Sequence, residues 1–449
     1  MLFTKKYFFY VLLFFHIPYV QSASEPTDLD ISLDEYIKTF NFSAVERQSD
    51  FKPALIKLGS KLYGDMRLSL TGDKSCFTCH LDFLNSGDDL PLSLGVGTTY
   101  TQGPSGIYQN TARTTKRNAT NLYNKGHIEF KTLFADGRVN YQNKKWTTPD
   151  SLLNNSSPLY KDILAVLNSS MSAQALFPMV DPIEMKGEDH EYLSNLEVWD
   201  KITQSLVSDP NLKRYFTEAY PQEKINIAHI GNALAHFQKY YFQVTETNWD
   251  KYLRGDQSAM TDQEKRGAIL FAGKAKCANC HNGKHLTNFQ FENTAIPGVS
   301  QDSNTLDQGR FDFTGKKSDR FKTIVSPLRN IGKTKPYFTS GIVLTLKDVI
   351  HHYNDPINFY LNYTPLAINS DYIDNFEIFT RYFIRTGTLV TRTEQLKTIS
   401  NKMPLKLHLT EDEMKDLESF LSESLTEKED IIPADLLKHV KKESWRLPL

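Results

Sequence analysis

The sequence predicts a mainly α-helical protein with two related domains. Apolar residues recur every three or four positions in several segments, whereas the period-two alternation typical of strands is scarce. The pattern C-x-x-C-H occurs twice, at residues 76–80 and 277–281. Each copy follows a predicted helix, so the chain repeats a unit of helix followed by motif.

Length and composition set broad limits on the function. The chain has 449 residues, enough for two or three domains with a sizeable core. Its 52 Lys and Arg residues balance its 53 Asp and Glu residues, which leaves a net charge of −1. This balance gives no electrostatic case for nucleic-acid binding. The 40% hydrophobic and 23% charged content is ordinary for a soluble globular protein.

The two C-x-x-C-H motifs contain all four cysteines of the chain. Two thiols three positions apart lie on one side of a helical turn and can add to the two vinyl groups of a porphyrin. The histidine that follows then lies under the ring and can bind the iron. The motifs therefore predict two covalently attached haem c groups, held by Cys76, Cys79 and His80 and by Cys277, Cys280 and His281.

The alternative uses of the four cysteines are a disulfide framework, a redox C-x-x-C pair and a zinc site. A chain of this length does not need a disulfide framework, and a redox C-x-x-C does not explain a histidine after both second cysteines. Zinc uses the same ligand types, but two C-x-x-C pairs that share one zinc usually lie much closer in sequence. Haem remains the favoured interpretation.

The N-terminus resembles a secretory signal. Lys5 and Lys6 precede an apolar run over residues 7–20, and the small residue Ser22 follows. This predicts cleavage after about residue 22 and export to the periplasm. The alternative is an uncleaved anchor, but the run is shorter than the ~20 residues that span a bilayer. We expect no stable membrane insertion after cleavage.

Five helices are predicted with definite limits. Capping boxes at Thr261 and Thr410 open two of them. The helices are Leu33–Phe40, Pro53–Tyr63, residues 225–242, Thr261 to about Ala272, and one from Thr410 with the apolar stripe Met414, Leu417, Phe420 and Leu421.

The remaining segments are predicted to be irregular. His229 and His236 are expected to serve packing or to lie at the surface, and Gly95-Val96-Gly97 is expected to be a loop. Residues 243–260 form the predicted domain junction, and residues 288–320 are polar. The predicted organisation is a signal peptide at 1–22, domains at 23–245 and 246–425, and a charged tail at 426–449.

An ordered set of motifs from about Leu58 to Leu421 resembles the bacterial di-haem cytochrome c peroxidases, including the MauG branch. The motifs are the first C-x-x-C-H, RNAT, FADGR, AQALFPMVDPIEM, the second C-x-x-C-H, SPLRNIGKTKPYFTSG and TLKDVIHHYN. The resemblance implies two cytochrome c-like domains, each with one haem. It also implies that the N-terminal haem reacts with hydrogen peroxide. The C-terminal haem would take electrons from a small donor such as a cytochrome c or a cupredoxin.

The resemblance assigns roles to individual residues. Gln174, Pro178 and Glu184 match the family spacing, which makes Glu184 the general acid–base and Gln174 the residue that orients peroxide. The alternative for Glu184 is a solvated surface carboxylate. Peroxidases of this family commonly place a methionine ligand of the second iron at the position of Tyr353. A tyrosine at this position resembles MauG. His351 and His352 could compete with it or lie in a surface loop.

A calcium ion between the domains is also implied. Its ligands would be the Asn118 side chain and the backbone oxygens of Thr334 and Pro336, which are suitable donors for a hard cation. The alternative is a plain turn.

Three positions depart from the family pattern. Ala135 replaces the tryptophan of FWDGR that relays electrons, so Phe134 or a direct route must serve. Thr339 replaces the histidine of PYFHSG. Asn110 stands where classical members place a removable histidine on the first haem, which suggests a first haem open without prior reduction, as in MauG.

Three functions follow from these residues. The first is a peroxidase. The second is a MauG-like oxidase that modifies a partner protein, which Tyr353 favours and Ala135 weakens. The third is a two-haem electron carrier without enzymatic activity. The resemblance leaves a homodimer open.

Overall fold

The computed structural model describes residues 26–97, 113–300, 306–363, 385–386 and 389–428. The predicted signal peptide, Asn110 and residues 429–449 of the predicted tail lie outside the described residues. In the described ranges, no helix combines the length and the apolar character needed to cross a bilayer.

Helices dominate the described chain. In the first half they are α1 Asp28–Thr39, α2 Pro53–Tyr63, α3 Cys76–Cys79, α4 Ser151–Asn154, α5 Lys161–Val166, α6 Ser170–Gln174, α7 Asn195–Val207, α8 Pro210–Ala219 and α9 Ile227–Tyr241. In the second half they are α10 Asn248–Leu253, α11 Asp262–Ala272, α12 Phe311–Thr314, α13 Leu346–Asn354, α14 Pro356–Asn362, α15 Leu389–Lys397 and α16 Glu411–Ser419.

The strands are short and antiparallel. Strands β1 Thr132–Leu133, β2 Val139–Gln142 and β3 Lys145–Thr147 form one sheet in that order. Strand β4 Phe291–Glu292 pairs with β6 Thr323–Ile324, and β5 Val299–Ser300 pairs with β7 Arg385–Thr386. The predicted mainly helical fold class is confirmed.

The buried apolar residues form two large clusters. The first is built around α2, α7 and α9, and the second around α10, α11, α13 and α16. Each cluster contains a helix crossing that passes over a glycine. A Cβ atom on Gly59 of α2 would lie 2.1 Å from the Ala233 carbonyl oxygen, and one on Gly267 of α11 would lie 2.0 Å from that of Asp416. Since α2 and α11 each precede a C-x-x-C-H motif, close helix packing fixes both motifs.

Helix α1 packs on the second cluster, through Leu33. Its Asp30 carboxylate forms a buried ion pair with Lys265 Nζ at 2.7 Å and accepts a hydrogen bond from the Tyr252 hydroxyl at 2.8 Å. The N-terminal helix is therefore bound to the C-terminal half of the chain. The domain limits drawn from the sequence remain a prediction.

Most of the predicted helix limits are confirmed. Helix α2 has the predicted limits, and both predicted capping boxes form, at Thr261 and Thr410. Helix α1 begins five residues earlier than predicted, because Thr27 and Asp30 form a further capping box. His229 is buried against Glu223 and Asn226, so the packing interpretation holds for it.

Two segments are more ordered than the sequence suggested. The predicted junction contains α10, in which Trp249 and Asp250 are buried. The predicted tail begins with the buried Glu427, whose carboxylate accepts hydrogen bonds from the backbone N–H groups of Thr245 and Glu246, each at 2.7 Å. Helices α7 and α8 were not predicted, although Ser194 and Asp209 cap them.

We predict that Gly59→Ala destabilises the protein by about 3 kcal/mol, the upper end of the range for an overpacked core. The added methyl group meets the backbone of α9, which cannot rotate away as a side chain does. The measurement is the thermal unfolding midpoint of the holoprotein, with Lys57→Ala as the control because Lys57 is an exposed residue of the same helix. Equal midpoints for the two variants would contradict the tight crossing.

Candidate active site

Both C-x-x-C-H motifs line one cavity of about 930 Å³. The cavity runs between the two apolar clusters, and residues from both halves of the chain form its wall. All six residues of the two motifs that could attach or ligate haem lie in this wall: Cys76, Cys79, His80, Cys277, Cys280 and His281. The two predicted cofactor positions thus share one cavity.

The first motif is held by its own helix and by hydrogen bonds to its histidine. Ser75 and Thr78 cap α3, which spans the two cysteines. His80 Nδ1 donates a hydrogen bond to the Ser86 carbonyl at 3.0 Å. Because a carbonyl only accepts, this bond places the proton on Nδ1 and leaves Nε2 as the atom that can bind a metal. Burial lowers the pKa of His80 to about 4, so the imidazole is neutral.

The second motif repeats this arrangement on a shorter turn. Residues Cys277–Asn279 form a single 3-10 turn, which begins after Lys276 in a left-handed conformation. His281 Nδ1 donates to the Leu286 carbonyl at 3.0 Å. Burial lowers the pKa of His281 to about 4, although the Leu286 and Ser326 carbonyls act in the opposite direction. Both histidines are therefore neutral and fixed in orientation, as axial ligands require.

The cysteines also fit covalent attachment of haem. None of the four, all of which are described, takes part in a disulfide. Burial raises the pKa of Cys76, Cys79 and Cys277 to about 12, and it also raises the pKa of Cys280. Neutral thiols at close spacing, a fixed neutral imidazole beside each pair and a cavity next to them are features that a haem c site needs. The residues present fit two such groups.

Gln174 and Glu184 lie in the wall of the same cavity. Gln174 ends α6, and Glu184 belongs to a single π-helical turn over Pro182–Lys186. The Asp181 carboxylate caps this turn by accepting hydrogen bonds from the backbone N–H groups of Ile183 and Glu184, at 2.9 and 3.0 Å. The predicted loop at 95–97 closes over the turn, since Val96 N–H donates to the Ile183 carbonyl at 2.9 Å.

The pKa of Glu184 is raised to about 7. Burial is the largest cause, and the negative charge of Asp181 adds to it. Arg138, whose Nη2 lies 3.6 Å from Glu184 Oε1, acts in the opposite direction. The Glu184 side chain is only 27% exposed and faces the cavity, so the geometry disfavours a freely solvated surface carboxylate. A carboxyl group that titrates near neutral pH can both take up and release a proton.

A network of charges, centred on the buried Asp136 and otherwise partly buried, joins the two halves of the chain beside Glu184. The Asp136 carboxylate accepts hydrogen bonds from Arg117 at 2.6 Å and from Arg138 at 2.9 Å. Arg117 also makes a bidentate pair with Asp307, at 2.7 and 2.8 Å. Arg310 Nη1 donates to the backbone carbonyl of Asp136 at 2.7 Å. Arg138 is thereby held close to Glu184.

The FADGR segment lies where the two halves meet. The backbone carbonyl of Ala135 accepts a hydrogen bond from Ile324 N–H at 2.8 Å. The Arg138 guanidinium lies over the Phe134 ring, 3.7 Å from its centroid. Gly137 has a φ of 69°, and a Cβ there would meet Phe291 and Arg310. Phe134 and Ala135 both line the cavity between the motifs, where the family carries its relay residue.

Tyr353 lines the cavity on the side of the second motif. Burial raises the pKa of its phenol well above the usual value, and the nearby Cys277 adds to this effect. The alternative that the neighbouring histidines lie in a surface loop is wrong, because both belong to α13. His352 is fully buried and its Nε2 donates to the Thr294 carbonyl at 2.9 Å. Among the described residues that line the cavity, Tyr353 is present and His351 and His352 are not.

The three predicted calcium ligands, Asn118, Thr334 and Pro336, also line the cavity. Asn118 Nδ2 donates to the Leu90 carbonyl at 2.6 Å, which leaves its amide oxygen as the donor for a cation. The three oxygens are neutral, and Lys335 lies between two of them in sequence, so a calcium ion would depend on water for its other ligands. The donor chemistry fits a weak calcium site.

Several residues of the site were missed in the sequence. Asp181 carries a signal, because Asp-Pro before a short turn is a common N-cap pattern. Arg117 and Asp307 carry none, since they lie 190 residues apart and meet only in the folded chain.

Residues 53–258 match the family described as di-haem cytochrome c peroxidase. These residues make up less than half of the chain, and over them it is similar to the di-haem cytochrome c peroxidases. The resemblance stated from the sequence motifs is thus confirmed. The match covers the first C-x-x-C-H motif and the segment that carries Gln174 and Glu184.

Curated relatives include both peroxidases and MauG. Cytochrome c peroxidase Ccp of Escherichia coli is 32% identical over 303 residues, or 66% of this chain and 52% of that protein, so this chain spans about half of its length. Cytochrome c551 peroxidase of Pseudomonas aeruginosa is 29% identical, over 66% of this chain and 70% of the relative. Methylamine utilization protein MauG of Methylorubrum extorquens is 27% identical, over 67% and 69%.

Solved structures share the fold. A MauG-like protein associated with microbial copper homeostasis has a TM-score of 0.56 and 24% identity, over 87% of this chain and 95% of that one. The dihaem peroxidase BthA from Burkholderia thailandensis has a TM-score of 0.55 and 19% identity, over 86% and 90%.

Proposed function

We propose that the protein is a periplasmic di-haem c-type peroxidase that reduces hydrogen peroxide to water with electrons from a small redox protein. The observation that carries this proposal is the position of Glu184, a carboxyl group with a pKa near 7, in the cavity wall that also contains the first C-x-x-C-H motif. A general acid–base group must lie within reach of the reacting oxygen atoms and titrate near the working pH. Glu184 meets the second condition and shares the cavity required by the first.

In this proposal the chain holds two haem c groups in domains 23–245 and 246–425. Cys76 and Cys79 attach the first haem and His80 ligates it, while Cys277, Cys280 and His281 hold the second. When bound, haem supplies the iron that binds peroxide and the electrons that break its O–O bond. Tyr353 is the candidate sixth ligand of the second iron.

Glu184 moves the protons of the reaction. As a carboxylate, Glu184 takes the proton from the peroxide oxygen that is nearer to the first haem. As a carboxylic acid, it gives that proton to the other peroxide oxygen, which leaves as water. With two electrons and two protons in total, one peroxide gives two water molecules. Gln174 orients the peroxide by hydrogen bonding. Burial raises the pKa of Glu184, and Asp181 and Arg138 change it further in opposite directions.

Electrons would reach the second haem from a cytochrome c or cupredoxin and cross to the first past the FADGR segment. Phe134 and Ala135 line the cavity at this crossing, so the route involves the Phe134 ring or the direct gap between the haems. A calcium ion at Asn118, Thr334 and Pro336 would join the segments that flank this route.

A second candidate function is a MauG-like oxidase that modifies residues of a partner protein. The position of Tyr353 in the cavity wall favours it, since this residue matches MauG in the motif that follows the second haem site. Steady-state turnover with a small cytochrome c donor separates the two candidates. The electron-carrier hypothesis is disfavoured, because it assigns no role to Gln174 and Glu184 in the cavity.

We predict that Glu184→Gln lowers kcat/KM for hydrogen peroxide by about 10²-fold or more, the usual size of a general acid–base contribution. The amide keeps the shape of the side chain but cannot carry the proton. The measurement is peroxide-dependent oxidation of a reduced cytochrome c, and the haem absorption spectrum is recorded to show that both haems are retained.

The matched control is Glu188→Gln, which changes an exposed carboxylate four residues away that lies 3.4 Å from the Arg113 guanidinium. We expect it to keep the wild-type rate. Wild-type kcat/KM in Glu184→Gln would refute the proposed proton transfer.

The pH profile should report the same group. We predict that kcat/KM for peroxide rises with pH through an ionisation near 7, because the first step needs Glu184 as a carboxylate. Arg138→Gln removes a positive charge that lowers the pKa of Glu184, so the ionisation should move to higher pH. Arg138→Lys keeps the positive charge, so it should shift this ionisation by less than Arg138→Gln does. A shift of the Arg138→Gln profile to lower pH would be the wrong sign for this account.

A further inference from the structure

His127, Glu129 and His285 form a cluster, and none of the three lines the cavity, although the His285 ring packs on Phe130 of the cavity wall. One nitrogen or oxygen atom of each lies within 4.8 Å of the other two. We propose that these three side chains form a binding site for a divalent transition-metal ion, with Zn²⁺ as the best match. The site would join the 124–131 loop to the segment that follows the second C-x-x-C-H motif.

His285 is the central observation. Its side chain is 1% exposed, and neither ring nitrogen has a hydrogen-bond partner within the described ranges. A buried polar group without a partner is costly, so nearly all such groups in folded proteins bond to another group, a water molecule or an ion. Burial also lowers the pKa of His285 far below its usual value, which keeps the imidazole neutral and its lone pair available.

The imidazole ring of His127 packs against that of His285. The two imidazole centroids are 4.5 Å apart. The loop that carries His127 is fixed, because Asn124 and Val244 exchange hydrogen bonds of 2.8 and 2.9 Å. Its Gly126 allows a close approach to α9, where a Cβ would lie 2.6 Å from Lys239. His127 is therefore placed before any ion binds.

Glu129 supplies the third ligand. Its Oε2 lies 3.7 Å from His285 Nε2. Two ligands of a tetrahedral zinc ion, each ~2.1 Å from the metal, lie about 3.4 Å from each other. A small movement of the exposed Glu129 side chain would close the site. Lys284 Nζ, 3.6 Å from Glu129 Oε1, competes for this carboxylate, so the affinity should be moderate rather than extreme.

The ligand types select the metal. Two imidazoles and one carboxylate suit Zn²⁺ and its first-row neighbours, whereas Ca²⁺ and Mg²⁺ prefer sites made of oxygen atoms. The exposed Glu129 side of the cluster leaves a fourth position for water. This site therefore differs in chemistry and in place from the proposed calcium site at Asn118.

A bound ion would act on the second haem motif through the backbone. His285 directly precedes Leu286, whose carbonyl accepts the hydrogen bond from His281 Nδ1 at 3.0 Å. An ion on His285 and His127 would tie that segment to a loop of the first half of the chain. The orientation of His281 would then depend in part on the metal.

The test uses untagged holoprotein that has been treated with a chelator and returned to buffer with excess calcium. We expect calorimetric titration with Zn²⁺ to show one ion per chain, with a higher thermal unfolding midpoint when zinc is bound. His127→Asn and Glu129→Gln should each weaken zinc binding by about tenfold or more, since even outer-shell changes cost that much. His127 and Glu129 both lie at or near the surface, and the haem absorption spectrum shows whether each variant folds.

The control is His408→Asn, which removes an exposed histidine elsewhere. Its backbone φ of 54° is one that asparagine tolerates. This variant should bind zinc as the wild type does, and X-ray absorption at the zinc edge should show two imidazole ligands in both. Absence of stoichiometric zinc binding, or equal binding by the wild type and both cluster variants, would overturn the proposal.

Discussion

Both C-x-x-C-H motifs line one cavity, and the rest of the structure depends on this shared wall. Each motif follows a helix that crosses its partner over a glycine, Gly59 in one half and Gly267 in the other. The close crossings fix where each motif lies within its own apolar cluster. The FADGR segment then closes the space between them, through the hydrogen bond from Ile324 to the Ala135 carbonyl. The proposed proton and electron transfers both depend on this shared cavity.

The burial of Glu184 also explains the pKa of this carboxyl group. Burial raises the pKa of Glu184, and the nearby charges of Asp181 and Arg138 act on it in opposite directions. The position of Arg138 depends on Asp136, which is itself paired with Arg117. Since breaking a buried ion pair is costly, this network holds the two halves of the chain in one arrangement. The same contacts that close the cavity therefore set the proton affinity of its carboxyl group.

Local sequence signals predicted much of this structure. The limits of Pro53–Tyr63 and the capping boxes at Thr261 and Thr410 depend on neighbouring residues, and the structure confirms them. The family resemblance was likewise visible in the order of short motifs. What remained hidden depends on contacts between distant segments. Arg117 meets Asp307 only in the folded chain.

The histidines show the same limit. A competing iron ligand and a surface-loop residue were the two interpretations of His352, but it belongs to α13 and is buried in the core. His127 and His285 carry no shared motif, and their proximity arises because a loop of the first half packs against the second haem segment. A local sequence pattern predicts the conformation of the residues within it. Burial and partners come from the packing of the two halves, which no local pattern contains.

The central claim is that one haem has an accessible iron face beside Glu184 and the other does not. Rapid mixing of the holoprotein with one equivalent of hydrogen peroxide, followed by absorption spectroscopy, tests it most directly. The account predicts a fast second-order change in the bands of the first haem, which slows greatly in Glu184→Gln. A protein whose haem bands stay unchanged after mixing would contradict the account.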